Sequence, residues 1–340
     1  MNVVTPPETL TAKDFATDQE VRWCPGCGDY AILKAVQKTL ADIGARPENT
    51  VFVSGIGCAA RFPYYVKTYG FHTIHGRAPA FATGLKLANP DLDVWVISGD
   101  GDALSIGGNH LFHLLRRNVN VQFLLFNNEI YGLTKGQYSP TSRQGTRSPS
   151  TPWGSLDNPA SATVFALGAG ARFVARGVDS NQKHLPDILA RAHAHIGTSF
   201  VEIFQNCKVY NDGVFETFTA RDLASDRQIY VEHGKPLIFG KDGEKGLRLN
   251  PRTLSLEVVT LGENGVTEAD VLVHDETNRM IATLLAHMEP PALPVALGVL
   301  YCAPGPCYDD EVTDLVRAHT PAEKPDFNRL LRSGRTWTVD

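Results

Sequence analysis

The stretch from Val94 to Thr134, VWVISGDGDALSIGGNHLFHLLRRNVNVQFLLFNNEIYGLT, restricts the fold more than any other part of the chain. Val94 to Ile97 is an uninterrupted apolar run, the pattern of a parallel strand buried on both faces. A tight turn follows, Ser98-Gly99-Asp100-Gly101-Asp102, and then a helical pattern with Leu104, Leu111, Leu114 and Leu115 on one side. A second apolar run, Val121 to Phe126, stops at Asn127-Asn128. This is one β-α-β crossover, whose hand and place in a sheet are constrained. If its strands are neighbours, their carboxyl ends lie roughly 5 Å apart. Asp100 and Asn128 then meet although 28 positions separate them. A carboxylate, an amide oxygen and a backbone carbonyl just beyond form an all-oxygen set suited to Mg²⁺. Gly99 and Gly101 let the backbone approach a phosphate, and the following helix N-terminus favours an anion. The turn reads as a magnesium diphosphate cradle. The competing reading is another nucleotide-binding α/β domain with an ordinary Gly-Asp-Gly turn.

The same alternation runs through the first two thirds of the chain. Helical patterns are expected over 30–43, 78–88, 158–167 and 181–195, and strands over 50–54, 172–175 and 200–204. That order predicts an α/β fold, an open and mostly parallel sheet with helices on both faces. The sequence divides into an N-terminal arm (1–20), a binding domain (21–211) and a C-terminal α+β extension (212–340). In the extension a hairpin is expected around Lys241-Asp242-Gly243-Glu244, a helix over 276–288, a strand over 297–301 and a helix over 309–318. Residues 136–155, GQYSPTSRQGTRSPSTPWGS, form a long loop without apolar periodicity, and loops of that length usually serve function. A net charge of −5 and scattered basic residues give no support to nucleic-acid binding. Arg116-Arg117 reads as a helix end near its negative pole. No apolar run is long enough to span a membrane, and MNVVTPPETLTAKDF lacks a charged-then-apolar leader, so a cytoplasmic protein is expected.

Six cysteines without a signal pattern point to metal or redox chemistry rather than to a disulfide framework. Cys24 and Cys27 form a C-P-G-C loop before a helix, and Cys58 and Cys207 each follow an expected strand. Those turns open on the sheet edge that carries Asp100 and Asn128. Four thiolates there could hold a [4Fe–4S] cluster. A lone C-x-x-C is also a zinc half-site or a thiol–disulfide pair. Isolated cysteines such as Cys58 and Cys207 are also common as small apolar residues. Cys302 and Cys307 read as structural.

GDG closed by Asn-Asn resembles the thiamine diphosphate motif of thiamine-dependent enzymes. By that resemblance Asp100 and Asn128 are side-chain Mg²⁺ ligands and Ile130 gives its carbonyl, on the diphosphate-binding domain of the thiamine diphosphate fold. WCPGCG, GIGC, HGRA, GDGD with SIGGNH, and NNEIYGLTKGQ occur here in one order. Together they resemble the β subunit of 2-oxoacid:ferredoxin oxidoreductases, from about Val21 to Cys207 and more loosely through VLVHDETN. The resemblance makes Cys24, Cys27, Cys58 and Cys207 the ligands of a [4Fe–4S] cluster. The last block departs from the family, with QNCKVYND where Pro-Cys is more usual.

The resemblance also sets Gly57, Cys58, His75 and Gly76 against the cofactor. His75 alone is equally a satisfied loop residue. Gly132, Leu133 and Thr134 are placed to meet diphosphate oxygens, and Asp102 to accept from cofactor or from neighbouring amides. His110 and His113, one turn apart, read as packing or capping residues. Lys135, in TKGQ, resembles the 2-oxoglutarate or broad-specificity members. A lysine there can pair with a distal substrate carboxylate, or it is simply a solvated side chain.

The activity implied is coenzyme A-dependent oxidative decarboxylation of 2-oxoglutarate, or its reversal, with electrons passed to ferredoxin. Thiamine activation needs a carboxylate against the aminopyrimidine. No segment of this chain supplies it. An α subunit is therefore expected to give that Glu and most of the coenzyme A site, in an (αβ)₂ assembly. Two other readings are a non-oxidative thiamine enzyme with structural cysteines, and a non-catalytic metal-binding electron-transfer subunit.

Overall fold

The computed structural model describes residues 10–320 and 326–339. Strands β1 (Thr50–Ser54), β2 (Tyr69–His72), β3 (Asp93–Gly99), β4 (Gln122–Asn127), β5 (Phe173–Val178), β6 (Ser199–Phe204) and β7 (Gln228–Val231) belong to one sheet. Strands β8 (Ile238–Phe239), β9 (Lys245–Asn250) and β10 (Ser255–Thr260) form a small antiparallel sheet. The chain then returns to the main sheet as β11 (Val295–Cys302). The order across the main sheet is β2-β1-β3-β4-β6-β5-β11-β7, and its pairings are parallel except that of β11 with β5.

Helix α1 (Asp29–Asp42) precedes β1, and α2 (Ala78–Ala88), α3 (Asp100–Leu104), α4 (Gly108–Arg117), α5 (Ala162–Gly168) and α6 (His184–Ala194) connect the parallel strands. The alternation of side chains along each strand divides them between two cores. On one face Trp95, Ile97, Leu124 and Phe126 pack with Ile32, Val36 and Leu40 of α1 and Leu185, Ile188 and Leu189 of α6. On the other, Val94, Val96, Phe123 and Leu125 pack with Ala82 of α2, Leu111, Leu114 and Leu115 of α4, and Ala166 of α5. Burial of each such large side chain contributes about 1.5–3 kcal/mol. Packing from both faces therefore holds the central strands in register.

The helix expected from Leu104 through Leu115 is broken in two between α3 and α4. Gly107 lies in the break, where an added Cβ would come 2.4 Å from the carbonyl oxygen of Asp102. α4 itself carries Leu111, Leu114 and Leu115 as one buried stripe and ends at Asn118, φ 53°, a left-handed C-cap. Of the arm expected over 1–20, residues 1–9 lie outside the described part. In the remainder a short 3₁₀ turn, Ala12–Phe15, buries Phe15 in the α1 core.

The main sheet crosses the expected boundary at 211/212. After short helices α7 (Glu216–Thr219) and α8 (Ala224–Arg227), β7 takes the sheet's outer position, and β11 inserts between it and β5. The reason is burial. VALGVLYC is buried from Val295 to Tyr301 and needs backbone partners on both sides. Helix α9 (Arg279–Ala286) covers the second core through Ala282 and Leu285. Helices α10 (Tyr308–His319) and α11 (Phe327–Leu331) end the described chain. Among the described residues no helix is long and apolar enough to cross a membrane.

Candidate functional site

Parallel strands deliver their following turns to one sheet edge, where open α/β sheets bind ligands. The β3–β4 register pairs Gly99 with Phe126, so the turn carrying Asp100 adjoins the one carrying Asn128. Asp100 is buried, and its Oδ2 accepts from Ser139 Oγ and Thr141 Oγ1, both at 2.5 Å. Burial pushes its carboxyl above the usual range, and those two hydroxyls oppose the shift. Among the described residues no lysine or arginine pairs with it. A buried carboxylate without a cation is costly, and a bound divalent ion would compensate it.

Asn128 accepts from the Ile130 N–H at Oδ1, 3.1 Å, and donates from Nδ2 to Gln205, 2.8 Å. Asn211 Nδ2 donates to the Asn128 carbonyl. Ile130 is buried in the same turn. A Cβ on Gly99 would meet no atom closer than the Phe126 carbonyl at 4.0 Å, which leaves room for a phosphate. Gly101 is glycine for another reason: a Cβ there would lie 2.2 Å from the ring of Tyr131, whose hydroxyl donates to the Gly101 carbonyl. The donor set and the open face at Gly99 fit magnesium and diphosphate.

Asp102 joins three turns. Its Oδ1 accepts from the N–H groups of Gly76 (2.8 Å) and Ile56 (3.2 Å), and its Oδ2 from Ser98 Oγ at 2.7 Å. Of the two roles expected for it, the one visible here is to neighbouring amides. His75 Nδ1 approaches Asp102 Oδ1 to 2.6 Å, a close contact without hydrogen-bond geometry. The His75 side chain is 42% exposed and so can reach a ligand. Gly76 has φ 69°, and a Cβ there would strike Gly107 N at 2.5 Å, so the HGRA loop and the broken helix require each other. Gly57, φ 128°, has open space where its Cβ would be.

The four cysteines come together. Cys24, Cys27, Cys58 and Cys207 line one cavity of about 160 Å³, with Asn128, Gly132, Leu133 and Gln205 of the adjoining turns. Three hydrogen bonds assemble it: Trp23 Nε1 to the Cys58 carbonyl, Gly28 N to the Asn206 carbonyl, and Asn206 N to Asp179 Oδ2. The last explains the departure from Pro-Cys, because proline has no N–H to give. Burial pushes the Cys58 thiol up to about 12 and raises those of Cys27 and Cys207. Asp29, beside the loop, is buried with both carboxylate oxygens unpartnered, and burial pushes it up to about 7. Arg22, Arg61 and Lys208 line the same cavity, with Arg22 paired to Glu20 and Lys208 to Asp212.

Among the described residues no three His, Cys, Asp or Glu side chains converge on a point that one metal ion would take. A zinc ion needs sulfurs converging to about 2.3 Å from it. Four cysteine thiols lining one cavity are the donor set that an iron–sulfur cluster takes. Cys302 and Cys307 do not line this cavity; Cys302 lies 3.9 Å from His195 Nδ1 and Cys307 is buried near Asn118. His110 and His113 lie on α4, with His113 against Phe112.

Gly132 joins the two halves of the site. Its missing Cβ would touch Cys207 Sγ at 3.4 Å and Cys58 Sγ at 3.6 Å, a few residues from Asn128. Leu133 and Thr134 are exposed, and Thr134 Oγ1 is hydrogen-bonded to Gln137. Lys135 is exposed in a left-handed conformation, φ 76°, without an ion-pair partner among the described residues. Three contributors escape motif reading: Ser139 and Thr141, which reach Asp100 from the long loop, and Gln205. The only sequence signal for the first two is the Ser/Thr richness of that loop.

Comparison with known proteins agrees with this geometry. Residues 55–203 match the family described as thiamine pyrophosphate enzyme, C-terminal TPP binding domain. The chain is 49% identical to the 2-oxoglutarate oxidoreductase subunit KorB of Mycobacterium tuberculosis, over 99% of this chain and 91% of that one. It is 48% identical to the β subunit of a 2-oxoacid:ferredoxin oxidoreductase of Aeropyrum pernix, over 58% of this chain and 62% of that one. A solved 2-oxoglutarate:ferredoxin oxidoreductase of Magnetococcus marinus, with 2-oxoglutarate, coenzyme A and succinyl-CoA bound, superposes with a TM-score of 0.77. It is 32% identical and covers 97% of each chain.

Proposed function

Since the chain belongs to the family of 2-oxoacid:ferredoxin oxidoreductase β subunits, we propose that its sheet edge holds thiamine diphosphate with Mg²⁺ beside a [4Fe–4S] cluster. It is the β subunit of a thiamine diphosphate-dependent 2-oxoglutarate oxidoreductase. Neither the non-oxidative thiamine enzyme nor the non-catalytic electron-transfer subunit is favoured by these relatives. When bound, thiamine diphosphate supplies the nucleophile for decarboxylating a 2-oxoacid, and the cluster supplies a one-electron acceptor.

The chain's own residues place these groups. Asp100, Asn128 and the Ile130 carbonyl hold the magnesium ion, with Asp100 kept in place by Ser139 and Thr141. Gly99, Gly101, Gly132, Leu133 and Thr134 bring backbone to the diphosphate. Asp102 fixes the Gly57 and Gly76 turns and holds His75 at the cofactor's edge. Cys24, Cys27, Cys58 and Cys207 hold the cluster. One observation carries the oxidative reading: four cysteines from three separate turns line a single cavity that also touches Asn128 and Gly132.

A β subunit acts within a multi-subunit complex. The partner α subunit in our reading gives the thiamine-activating Glu and most of the coenzyme A site, in an (αβ)₂ assembly that reduces ferredoxin in the cytoplasm. The first test is iron, sulfide and zinc analysis with an anaerobic visible spectrum on the complex. About four irons and four sulfides per β chain are expected. Zinc without iron, or metal-free cysteines after oxygen damage has been excluded, would overturn the oxidative reading.

Lys135 reads the distal carboxylate of 2-oxoglutarate in this proposal. Its exposed ammonium has no competing carboxylate among the described residues. Lys135→Ala is expected to lower the preference for 2-oxoglutarate over pyruvate by about tenfold, the size of one charge-assisted hydrogen bond. The ratio of the two kcat/KM values measures it, and an unchanged ratio sinks the assignment.

A further inference from the structure

Gln205 stands between the end of β6 and Cys207 and is 1% exposed. Its amide is fully engaged. Oε1 accepts from Asn128 Nδ2 at 2.8 Å; Nε2 donates to the Asn206 carbonyl at 2.7 Å and to Cys27 Sγ at 3.3 Å. This orientation is forced. Turned over, the amide would set oxygen against the Asn206 carbonyl and nitrogen against the Asn128 nitrogen. One buried side chain therefore touches both a residue assigned to magnesium and a residue assigned to the cluster.

We propose that Gln205 is a positioning residue for both centres: its N–H to the Cys27 sulfur raises the reduction potential of the cluster, while its Oε1 holds Asn128 with the amide oxygen turned to the magnesium ion. The inference rests on the function proposed above. Reduction adds negative charge to a cluster and its thiolates, and a hydrogen bond to sulfur stabilises the more negative form. Burial keeps water from replacing that donor. At the other end, occupying Asn128 Nδ2 leaves Oδ1 on the Ile130 side of the turn. In that orientation it can donate a lone pair to a cation, and partners of this kind orient metal ligands.

Two substitutions in the assembled complex separate the two contacts. Gln205→Met keeps the length and removes both interactions. Gln205→Glu keeps an oxygen for Asn128 but sets an oxygen against Cys27. Iron and sulfide content, the midpoint potential from an EPR-monitored redox titration, and thiamine diphosphate affinity at fixed Mg²⁺ are measured for each. Both variants are expected to hold four irons and to show a lower potential, by a roughly tenfold change in the reduced-to-oxidised ratio, about 59 mV for one electron. Thiamine diphosphate should bind about tenfold more weakly to Gln205→Met, in the range for lost partners of metal ligands, and near normally to Gln205→Glu. Iron-loaded variants with the wild-type potential overturn the sulfur contact as a tuning device. Equal affinity in Gln205→Met and wild type overturns the role toward Asn128. A wild-type complex without iron removes the proposed function itself, which separates that failure from this one.

Discussion

Cys207→Ser is expected to lower ferredoxin reduction by at least about two orders of magnitude, because under the proposed function it removes one of the four ligands of the cluster. Thiamine diphosphate binding should survive. Cys207 reaches the cavity from the turn after β6, and none of the hydrogen bonds that hold Asp100 or Asn128 passes through its sulfur. The pair of measurements is iron content with ferredoxin kinetics on one side and thiamine diphosphate titration on the other. A Cys207→Ser complex that reduced ferredoxin normally would return the cysteine to the role of a small buried side chain. Cys302→Ser is the matched control, since Cys302 does not line that cavity.

Asp100→Asn should act in the opposite sense on stability and on binding. The wild-type carboxylate is buried, has two hydroxyl donors and no cationic partner among the described residues. Its raised pKa means that the unliganded fold favours the protonated form and loses stability as pH rises from the unfolded value through the folded one. A neutral amide lifts that penalty. Unliganded Asp100→Asn is thus expected to melt at or above the wild-type temperature in neutral buffer. The stabilisation that Mg²⁺ and thiamine diphosphate confer on wild type should largely vanish, with affinity down by at least about a hundredfold. Thermal melts with and without Mg²⁺ and thiamine diphosphate decide it. Undiminished stabilisation in the variant would remove Asp100 from the magnesium site.

Much of this site was legible because its pieces are short and local. Gly99-Asp100-Gly101 and Asn127-Asn128 close strands whose apolar runs announce them, and a parallel sheet then has only one edge on which to put the turns. Cys58 and Cys207 follow strands that end on that same edge, whereas the C-P-G-C loop precedes the first strand and was set beside them only by the family resemblance. What stayed hidden depends on contacts between distant segments. Ser139 and Thr141 lie in a loop with no periodicity, and nothing local marks them as donors to Asp100. The break at Gly107 arises because the HGRA turn, some thirty residues earlier, needs the space. Leu297 to Tyr301 reads as a strand, but the longer β11 and its antiparallel insertion beside β5 follow from burial on both faces, which the run of apolar residues alone assigns to no particular neighbour.

That insertion has a consequence for how the chain is made. Arg176 of β5 pairs with Gly298 of β11, so the outer edge of a fully buried strand waits for residues synthesised about 120 positions later. At about 5–20 residues per second the wait is on the order of ten seconds. During it, Cys24, Cys27, Cys58, Cys207 and the turns of Asp100 and Asn128 emerge on a sheet whose β5 edge is bare, a template for pairing with other chains. Translation that ends early, near residue 211, would deliver the whole binding site on a chain prone to aggregate. The last third of the sequence thus protects the site during synthesis by closing the edge of the sheet that carries it.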